Sequence, residues 1–94
     1  RKFKVIFSGA AQREIEKLEI EDALQLAKAI KHYLEQSPLP FGKTRTKRLT
    51  GFDPPLYRLR SGDFRAYYRI VSNDVVILAI THKKDSERYL RTFK

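Results

Sequence analysis

The chain has 94 residues, of which 41% are hydrophobic, and it contains no cysteine. That length allows one compact core, and without cysteine neither disulfide bonds nor thiolate chemistry is available. No apolar run approaches the roughly 20 residues that a membrane-spanning helix needs. We therefore expect a single domain over residues 1–94, located in the cytoplasm and without a membrane partner.

The net charge of +9 is distributed unevenly along the chain. Residues 8–37 carry four basic and six acidic side chains, whereas residues 43–94 carry thirteen basic and five acidic ones. Such segregation favours one polyanion-binding side, and nucleic acid is the leading polyanion. An acidic protein or an anionic membrane surface are the alternatives.

The first 40 residues predict a strand and two helices. Apolar residues alternate with other residues from Lys2 to Phe7, which is typical of a strand with one buried face. Ser8 can then cap a first helix, and after a break near Glu19 a second helix runs until the residues before Pro38. The three-to-four-residue spacing of apolar side chains predicts the core-facing positions. These positions are Ala11, Ile15, Leu18, Ala23, Leu26, Ala27, Ile30 and Leu34.

The second half of the chain predicts a sheet. Residues 41–55 are rich in Gly, Pro and basic side chains and predict a connecting loop, with Leu49 as its core anchor. Strands follow at 56–60, 64–71 and 75–81, and Asn73 is suited to a positive φ in the second turn. The third strand is apolar almost throughout and should be covered on both faces. With a short helix over 84–93, this order predicts an α+β fold, an antiparallel three-stranded meander covered by a helical hairpin.

Basic and aromatic side chains share one face of two of these strands. The period of two places Arg58 and Arg60 on one face of the first strand, and Arg65, Tyr67 and Arg69 on one face of the next. Guanidinium groups can bind phosphates bidentately and phenol rings can stack on bases. Arginines on the solvent side of a sheet are also ordinary, so the pattern alone leaves nucleic-acid binding and simple solvation open.

Other familiar catalytic patterns are missing from the sequence. It contains no Gly-rich phosphate loop, no GxSxG and no HExxH. Nothing supports His32 and His82 as a metal pair, and the carboxylates of Glu14 and Glu16 are interpreted as surface charge. We therefore expect neither a metal site nor a cofactor.

Residues 56–70, followed by an apolar strand and the HKKD cluster at 82–85, resemble the RelE/ParE superfamily of toxins. The shared features are a Tyr-Arg-Leu-Arg strand, a Gly-Asp-aromatic-Arg turn, a Tyr-Arg-Ile continuation and the basic cluster. The helical hairpin and the basic loop before Gly51 match the layout of the family. The likeness covers essentially the whole chain.

Membership of the RelE branch implies a toxin of a type II toxin–antitoxin system. Such a toxin is a metal-independent, ribosome-dependent endoribonuclease that cleaves mRNA and so inhibits translation. Its partners would be mRNA, the ribosome and a cognate antitoxin protein. The ParE branch implies instead an inhibitor of DNA gyrase, and a third reading is a non-catalytic member that only binds an antitoxin. The SERY stretch at 86–89 resembles RelE and favours the first reading.

The resemblance also implies site residues. Arg58 and Arg60 match the basic strand pair, Arg65 the arginine of the turn, and Tyr89 the tail tyrosine. We expect neighbouring cations to lower the pKa of Tyr89 so that it acts as the general base. The later basic residue is Lys83 or, with a shifted registry, Lys84, and His82 is included because histidine assists in some relatives. For RNA binding we predict Lys43, Arg45, Lys47, Arg48 and Arg69.

Overall fold

The computed structural model describes residues 2–41 and 44–93, which form a five-stranded sheet and three α-helices. The elements in chain order are β1 (Lys4–Phe7), α1 (Gly9–Glu16), α2 (Ile20–Leu34), β2 (Thr46–Arg48), β3 (Tyr57–Ser61), β4 (Phe64–Val71), β5 (Asp74–His82), a 3₁₀ turn (Lys83–Asp85) and α3 (Ser86–Arg91). The predicted α+β class, helical hairpin and meander are confirmed.

The sheet has the strand order β1-β5-β4-β3-β2. β1 lies parallel to β5, and every other neighbouring pair is antiparallel. β5 is an interior strand, as its apolar composition predicts. The segment predicted as a loop differs, because its residues 46–48 pair with β3 and form an edge strand. A strand of only three polar residues, Thr, Lys and Arg, shows no alternation of apolar and polar side chains by which it could be recognised in the sequence.

The two helices of the hairpin cover one face of the sheet. Ser8 caps α1 as predicted, since its Oγ accepts a hydrogen bond of 3.1 Å from the amide of Ala11. In α2, Leu26, Ile30 and Leu34 are buried. Ala27, predicted to face the core, is exposed, because the buried stripe of α2 is centred one position further round the helix. None of the helices in the described part of the chain is long and apolar enough to cross a bilayer.

The main core lies between this helical layer and the sheet. Within it Tyr57 and Tyr68 stack with ring centroids 5.4 Å apart. The hydroxyl of Tyr68 donates a 2.6 Å hydrogen bond to the carbonyl of Pro38, and burial raises the pKa of Tyr68 above its usual value. The buried members of this core are Ala11, Leu26, Ile30, Leu34, Tyr57, Leu59, Ala66, Tyr68, Val75, Ile77 and Ile80.

A second, smaller core lies on the opposite face of the sheet. There α3 and the segment before β3 pack onto β4 and β5, with Leu49 anchored as predicted. Tyr67 is fully buried in this cluster. The face that carries the arginines is therefore half covered rather than open throughout. The members of the second core are Leu49, Leu56, Tyr67 and Ala79, with Phe52, Leu78, Tyr89 and Leu90 packed against them.

A β-bulge in β5 changes which side chains face each core. Tyr67 pairs with Ala79 and Tyr68 pairs with Ile77, which leaves Leu78 as an extra residue. Such an extra residue shifts the alternation of the strand by one position. Leu78 and Ala79 consequently both join the second core, while Ile77 and Ile80 both join the main core.

The turn between β4 and β5 uses a different residue from the one predicted. Ser72 has the positive φ, at 56°, and Asn73 does not. The carbonyl of Asn73 accepts a 2.9 Å hydrogen bond from the amide of Lys4, which ties Asn73 to the start of β1. Asn73 is thus fixed by a tertiary contact that the local sequence does not reveal.

The hydroxyl of Tyr68 provides a test of the main core. We expect Tyr68→Phe to lower the free energy of unfolding by about 1–3 kcal/mol, because the buried carbonyl of Pro38 loses its donor. Tyr57→Phe is the matched control, since the Tyr57 hydroxyl forms no hydrogen bond within the described residues. Urea denaturation measures both, and equal stability of the two variants would contradict the assignment.

Candidate nucleic-acid interface

Four cations form what we call the basic face: Lys47, Arg58, Arg60 and Arg65. The registers bring them together, because Lys47 pairs with Arg58 across β2 and β3, and Arg60 pairs with Arg65 across β3 and β4. Directly paired residues project from the same side of a sheet. Three predicted catalytic arginines and one predicted RNA-binding lysine therefore lie side by side on the face opposite the helical hairpin.

No described carboxylate forms an ion pair with a cation of the basic face. Partial burial, and then the charges of Arg58 and Arg60, lower the pKa of Arg65 below its usual value. The ion pairs of the described residues, Lys83–Asp63 and Arg88–Asp85, include none of the cations of the basic face. Close cations without carboxylate partners repel one another, and a bound anion relieves that repulsion. The basic face is thus suited to bind phosphate.

The turn between β3 and β4 holds Arg65 in place. One terminal nitrogen of Arg65 donates hydrogen bonds to the carbonyls of Gly62, at 3.0 Å, and Phe64, at 2.9 Å. Gly62 has a φ of +57°, a conformation that suits glycine. Lys83 lies beside the same turn, with its amide 2.7 Å from the carbonyl of Asp63 and its Nζ 3.3 Å from the Asp63 carboxylate. The structure therefore brings Lys83 to the Arg65 end of the basic face.

Tyr89 contacts Tyr67, which lies next to Arg58 of the basic face. α3 places the ring of Tyr89 4.8 Å from the ring of Tyr67, measured between centroids. Tyr67 lies directly opposite Arg58 in the register and has no exposed surface. Its hydroxyl forms no hydrogen bond with any described residue. The predicted site residues Arg58, Arg60, Arg65 and Tyr89 thus form one connected group, with Tyr67 between the arginines and Tyr89.

The expected ionisation of Tyr89 is wrong. Burial raises the pKa of Tyr89 to about 12, and the nearby Glu14 and Tyr67 act in the same direction against a smaller opposing effect of Arg69. The arginines of the basic face do not lower it, because Tyr89 lies at the covered end of the sheet face. A phenol with this pKa keeps its proton at neutral pH and cannot act as the resting general base. It is suited instead to donate a hydrogen bond.

His82 and Lys84 are not brought to the basic face. His82 pairs with Phe64, and the two rings meet edge-on at 5.5 Å on the side of the main core. The β-bulge is the cause, since strict alternation from Val75 would have placed His82 beside the arginines. Its Nδ1 accepts a 3.1 Å hydrogen bond from the amide of Lys84, whose side chain is exposed.

The remaining predicted RNA-binding residues are dispersed. Arg45 donates a 3.1 Å hydrogen bond from Nε to the hydroxyl of Tyr33 and so points toward α2. Arg48 is exposed at the sheet edge and pairs with Tyr57, whose side chain belongs to the main core. Arg69 lies at the covered end of the arginine-bearing face, over the ring of Phe93 at 5.6 Å. Lys43 lies outside the described residues.

Sequence reasoning missed two residues at this site. The carboxylate of Glu14 accepts a 2.8 Å hydrogen bond from the amide of Ile80. It thereby provides a hydrogen-bond acceptor for β5 beyond the last residue of β1. The sequence predicts surface charge at Glu14, because no local pattern indicates a contact with β5. Tyr67 was assigned to the correct face, but the helix that buries it comes from a distant segment. Within residues 2–41 and 44–93, no three His, Cys, Asp or Glu side chains group to form a metal site.

The protonation of Tyr89 can be measured directly. We expect the ultraviolet difference titration between the wild type and Tyr89→Phe to show the missing ionisation with a midpoint near pH 12. Because the folded state holds this proton more tightly than the unfolded chain, the stabilisation is complete below about pH 10 and is lost as the pH rises toward 12. A midpoint at or below pH 10 would show that the cations, not burial, determine this pKa.

Comparison with known proteins supports the resemblance. The family model described as the ParE toxin of the type II toxin–antitoxin system parDE matches residues 5–87. The RelBE2 toxin–antitoxin complex of Mycobacterium tuberculosis contains a chain with 26% identity and a TM-score of 0.72, and the match covers 87% of this chain and 99% of that one. No match is found among curated protein sequences.

Two further solved structures share the fold. For the archaeal RelE–RelB complex of Pyrococcus horikoshii OT3 the identity is 22% and the TM-score 0.71, with 88% of this chain and 97% of that one covered. For a double arginine-to-alanine variant of Escherichia coli RelE in the free state the sequence identity is 21% and the TM-score is 0.64. The match covers 96% of this chain and 93% of that one. Because the family model matches most of the sequence, the chain belongs to the ParE toxin family of type II toxin–antitoxin systems, within the RelE/ParE superfamily.

Proposed function

We propose that this toxin is an endoribonuclease, an mRNA interferase that cleaves mRNA on the ribosome. The observation that carries the proposal is the convergence of Arg58, Arg60 and Arg65 on one face without a carboxylate partner among the described residues. Cleaving RNA requires a site that binds a phosphodiester and stabilises additional negative charge on it. The basic face supports both requirements.

The reaction would use the nucleophile that RNA carries. The ribose 2′-oxygen attacks the adjacent phosphorus, a proton leaves the 2′-hydroxyl, and the bond from phosphorus to the 5′-oxygen of the next nucleotide breaks as that oxygen gains a proton. Negative charge grows on the phosphate oxygens in the transition state. Arg65, held by the β3–β4 turn, and the neighbouring Arg58 and Arg60 would stabilise that charge.

Tyr89 and Lys83 would act at the two ends of the basic face. Tyr89 keeps its proton, so it would donate a hydrogen bond to the substrate or to the departing oxygen rather than remove a proton. Lys83, beside the turn that holds Arg65, would exchange its exposed ion pair with Asp63 for the phosphate of the bound RNA. His82 and Lys84 have no part in this proposal, because neither is brought to the face.

The partners follow from the family. The M. tuberculosis and P. horikoshii relatives are toxin–antitoxin complexes, and we propose that this chain likewise binds a cognate antitoxin protein. Its site of action would be the cytoplasm, where ribosomes translate mRNA. Inhibition of DNA gyrase, associated with ParE, is the alternative that the tests below separate.

Removal of the central arginine should abolish the chemistry. We expect Arg65→Ala to slow single-turnover cleavage of mRNA on programmed ribosomes by roughly 100-fold or more, the cost of losing one preorganised charge-stabilising group. Lys28→Ala, on the exposed surface of α2, removes the same charge away from the basic face and should cleave like the wild type. Circular dichroism checks that both variants are folded.

Three outcomes are informative. Ribosome-phased cuts that are lost only in Arg65→Ala support the proposal. Loss of supercoiling by purified gyrase, without RNA cuts, supports the gyrase reading. Neither activity in the wild type leaves antitoxin binding as the function.

The basic face should also account for the salt dependence of RNA binding. Each cation that contacts a phosphate releases a counterion, so Lys47→Ala should reduce the slope of log affinity against log salt by about one. Fluorescence anisotropy with a single-stranded RNA, from about 50 to 200 mM salt, measures this slope. Lys28→Ala again serves as the control, and an identical slope for both variants would remove Lys47 from the interface.

A further inference from the structure

Tyr67 combines two properties that rarely occur together. Its side chain is fully buried, yet its hydroxyl forms no hydrogen bond with any described residue. A buried hydroxyl without a partner destabilises the folded state, because it has lost water and gained nothing in exchange. Phenylalanine would fill the same space without this cost. The hydroxyl therefore calls for an explanation other than packing.

The other unpartnered atoms point to the same part of the molecule. Among the described side chains, three buried polar atoms have no hydrogen-bond partner: Arg58 Nε, Tyr67 OH and Arg69 Nε. All three project from the arginine-bearing face of β3 and β4, and Arg58 pairs directly with Tyr67. Each of the three groups can donate a hydrogen bond. Unsatisfied donors are thus confined to the face that carries the proposed RNA site.

We propose that the Tyr67 hydroxyl is an RNA-binding group of this site, which donates a hydrogen bond to a phosphate oxygen of the bound RNA beside Arg58. The inference rests on the proposed function, since it takes RNA as the ligand. A phosphate oxygen has several lone pairs and can accept from a guanidinium and a phenol together. The hydroxyl adds a neutral donor to the cations, and it has a fixed direction because the ring is held in the second core.

Access to the hydroxyl depends on Tyr89. The ring of Tyr89 lies against that of Tyr67, with centroids 4.8 Å apart. α3 has only six residues and none of them is fully buried, so a shift of this helix breaks few apolar contacts. When RNA seats on the basic face, Tyr89 moves aside and the Tyr67 hydroxyl exchanges its buried, unpartnered state for a hydrogen bond to phosphate.

The adjacent tyrosine offers a matched comparison. Tyr68 is also fully buried, but it projects to the main core and its hydroxyl is bonded to Pro38 at 2.6 Å. The same chemical change, Tyr to Phe, at two consecutive positions should therefore act in opposite directions. We expect Tyr67→Phe to raise the urea midpoint and to impair RNA binding and cleavage. We expect Tyr68→Phe to lower the urea midpoint while the folded protein cleaves normally.

The experiment measures three quantities for the wild type and both variants. They are the urea midpoint, the single-turnover cleavage rate on ribosomes, and the affinity for an RNA made noncleavable by a 2′-methoxy group. For Tyr67→Phe we expect affinity and cleavage efficiency to fall roughly 10- to 100-fold, as when a hydrogen bond to a charged group is lost.

Wild-type affinity and cleavage in Tyr67→Phe would overturn the inference and leave the proposed function intact. A lower urea midpoint for Tyr67→Phe would also overturn it, by revealing a structural partner for the hydroxyl. A wild type that neither binds nor cleaves RNA overturns both proposals.

Discussion

The pairing register of β3 with β4 is the constraint on which the rest of this structure depends. It sets Arg60 opposite Arg65 and Arg58 opposite Tyr67, and the same register places Leu59 and Ala66 in the main core. A slip by one residue would exchange the two faces of either strand and turn the cations inward. The apolar residues that are buried against the helices therefore also determine where the cations lie. Folding and the assembly of the basic face are specified by one set of hydrogen bonds.

The two faces of the sheet are covered by packed segments to different extents. This difference separates the exposed basic face from the second core that supports it. The helical hairpin packs on one face and encloses the main core, whereas α3 and the segment before β3 cover only part of the other face. The uncovered part carries the basic face, and the covered part holds the contacting rings of Tyr67 and Tyr89. Charged groups thus remain accessible to a polyanion while an adjacent apolar cluster holds the strands in position. A small chain obtains an exposed site and its support from one face of β4, where Arg65 belongs to the site and Tyr67 to the second core.

Much of this arrangement could be predicted from local pattern. The period of two assigned Arg58, Arg60 and Arg65 to one face correctly, and three-to-four spacing located α1 and α2. The features that escaped prediction all depend on contacts between distant segments. Tyr67 is buried by α3, Glu14 bonds to the amide of Ile80 across 66 positions, and Asn73 is tied to Lys4. The raised pKa of Tyr89 belongs to the same class, because its environment is built by α1 and β4 as well as its own helix.

The extra residue in β5 has a consequence for how such sites can diverge. It decides that Thr81, which pairs with Arg65, faces the guanidiniums, and that His82 turns toward Phe64. If β5 paired with β4 without the bulge and kept all of its residues, the alternation after Ile77 would be reversed, and His82 rather than Thr81 would lie on the arginine-bearing side. A change in strand pairing, rather than a substitution, can thereby alter which acid–base groups lie on the side of the arginines. Two relatives with identical residues around the arginines could differ in chemistry for this reason alone.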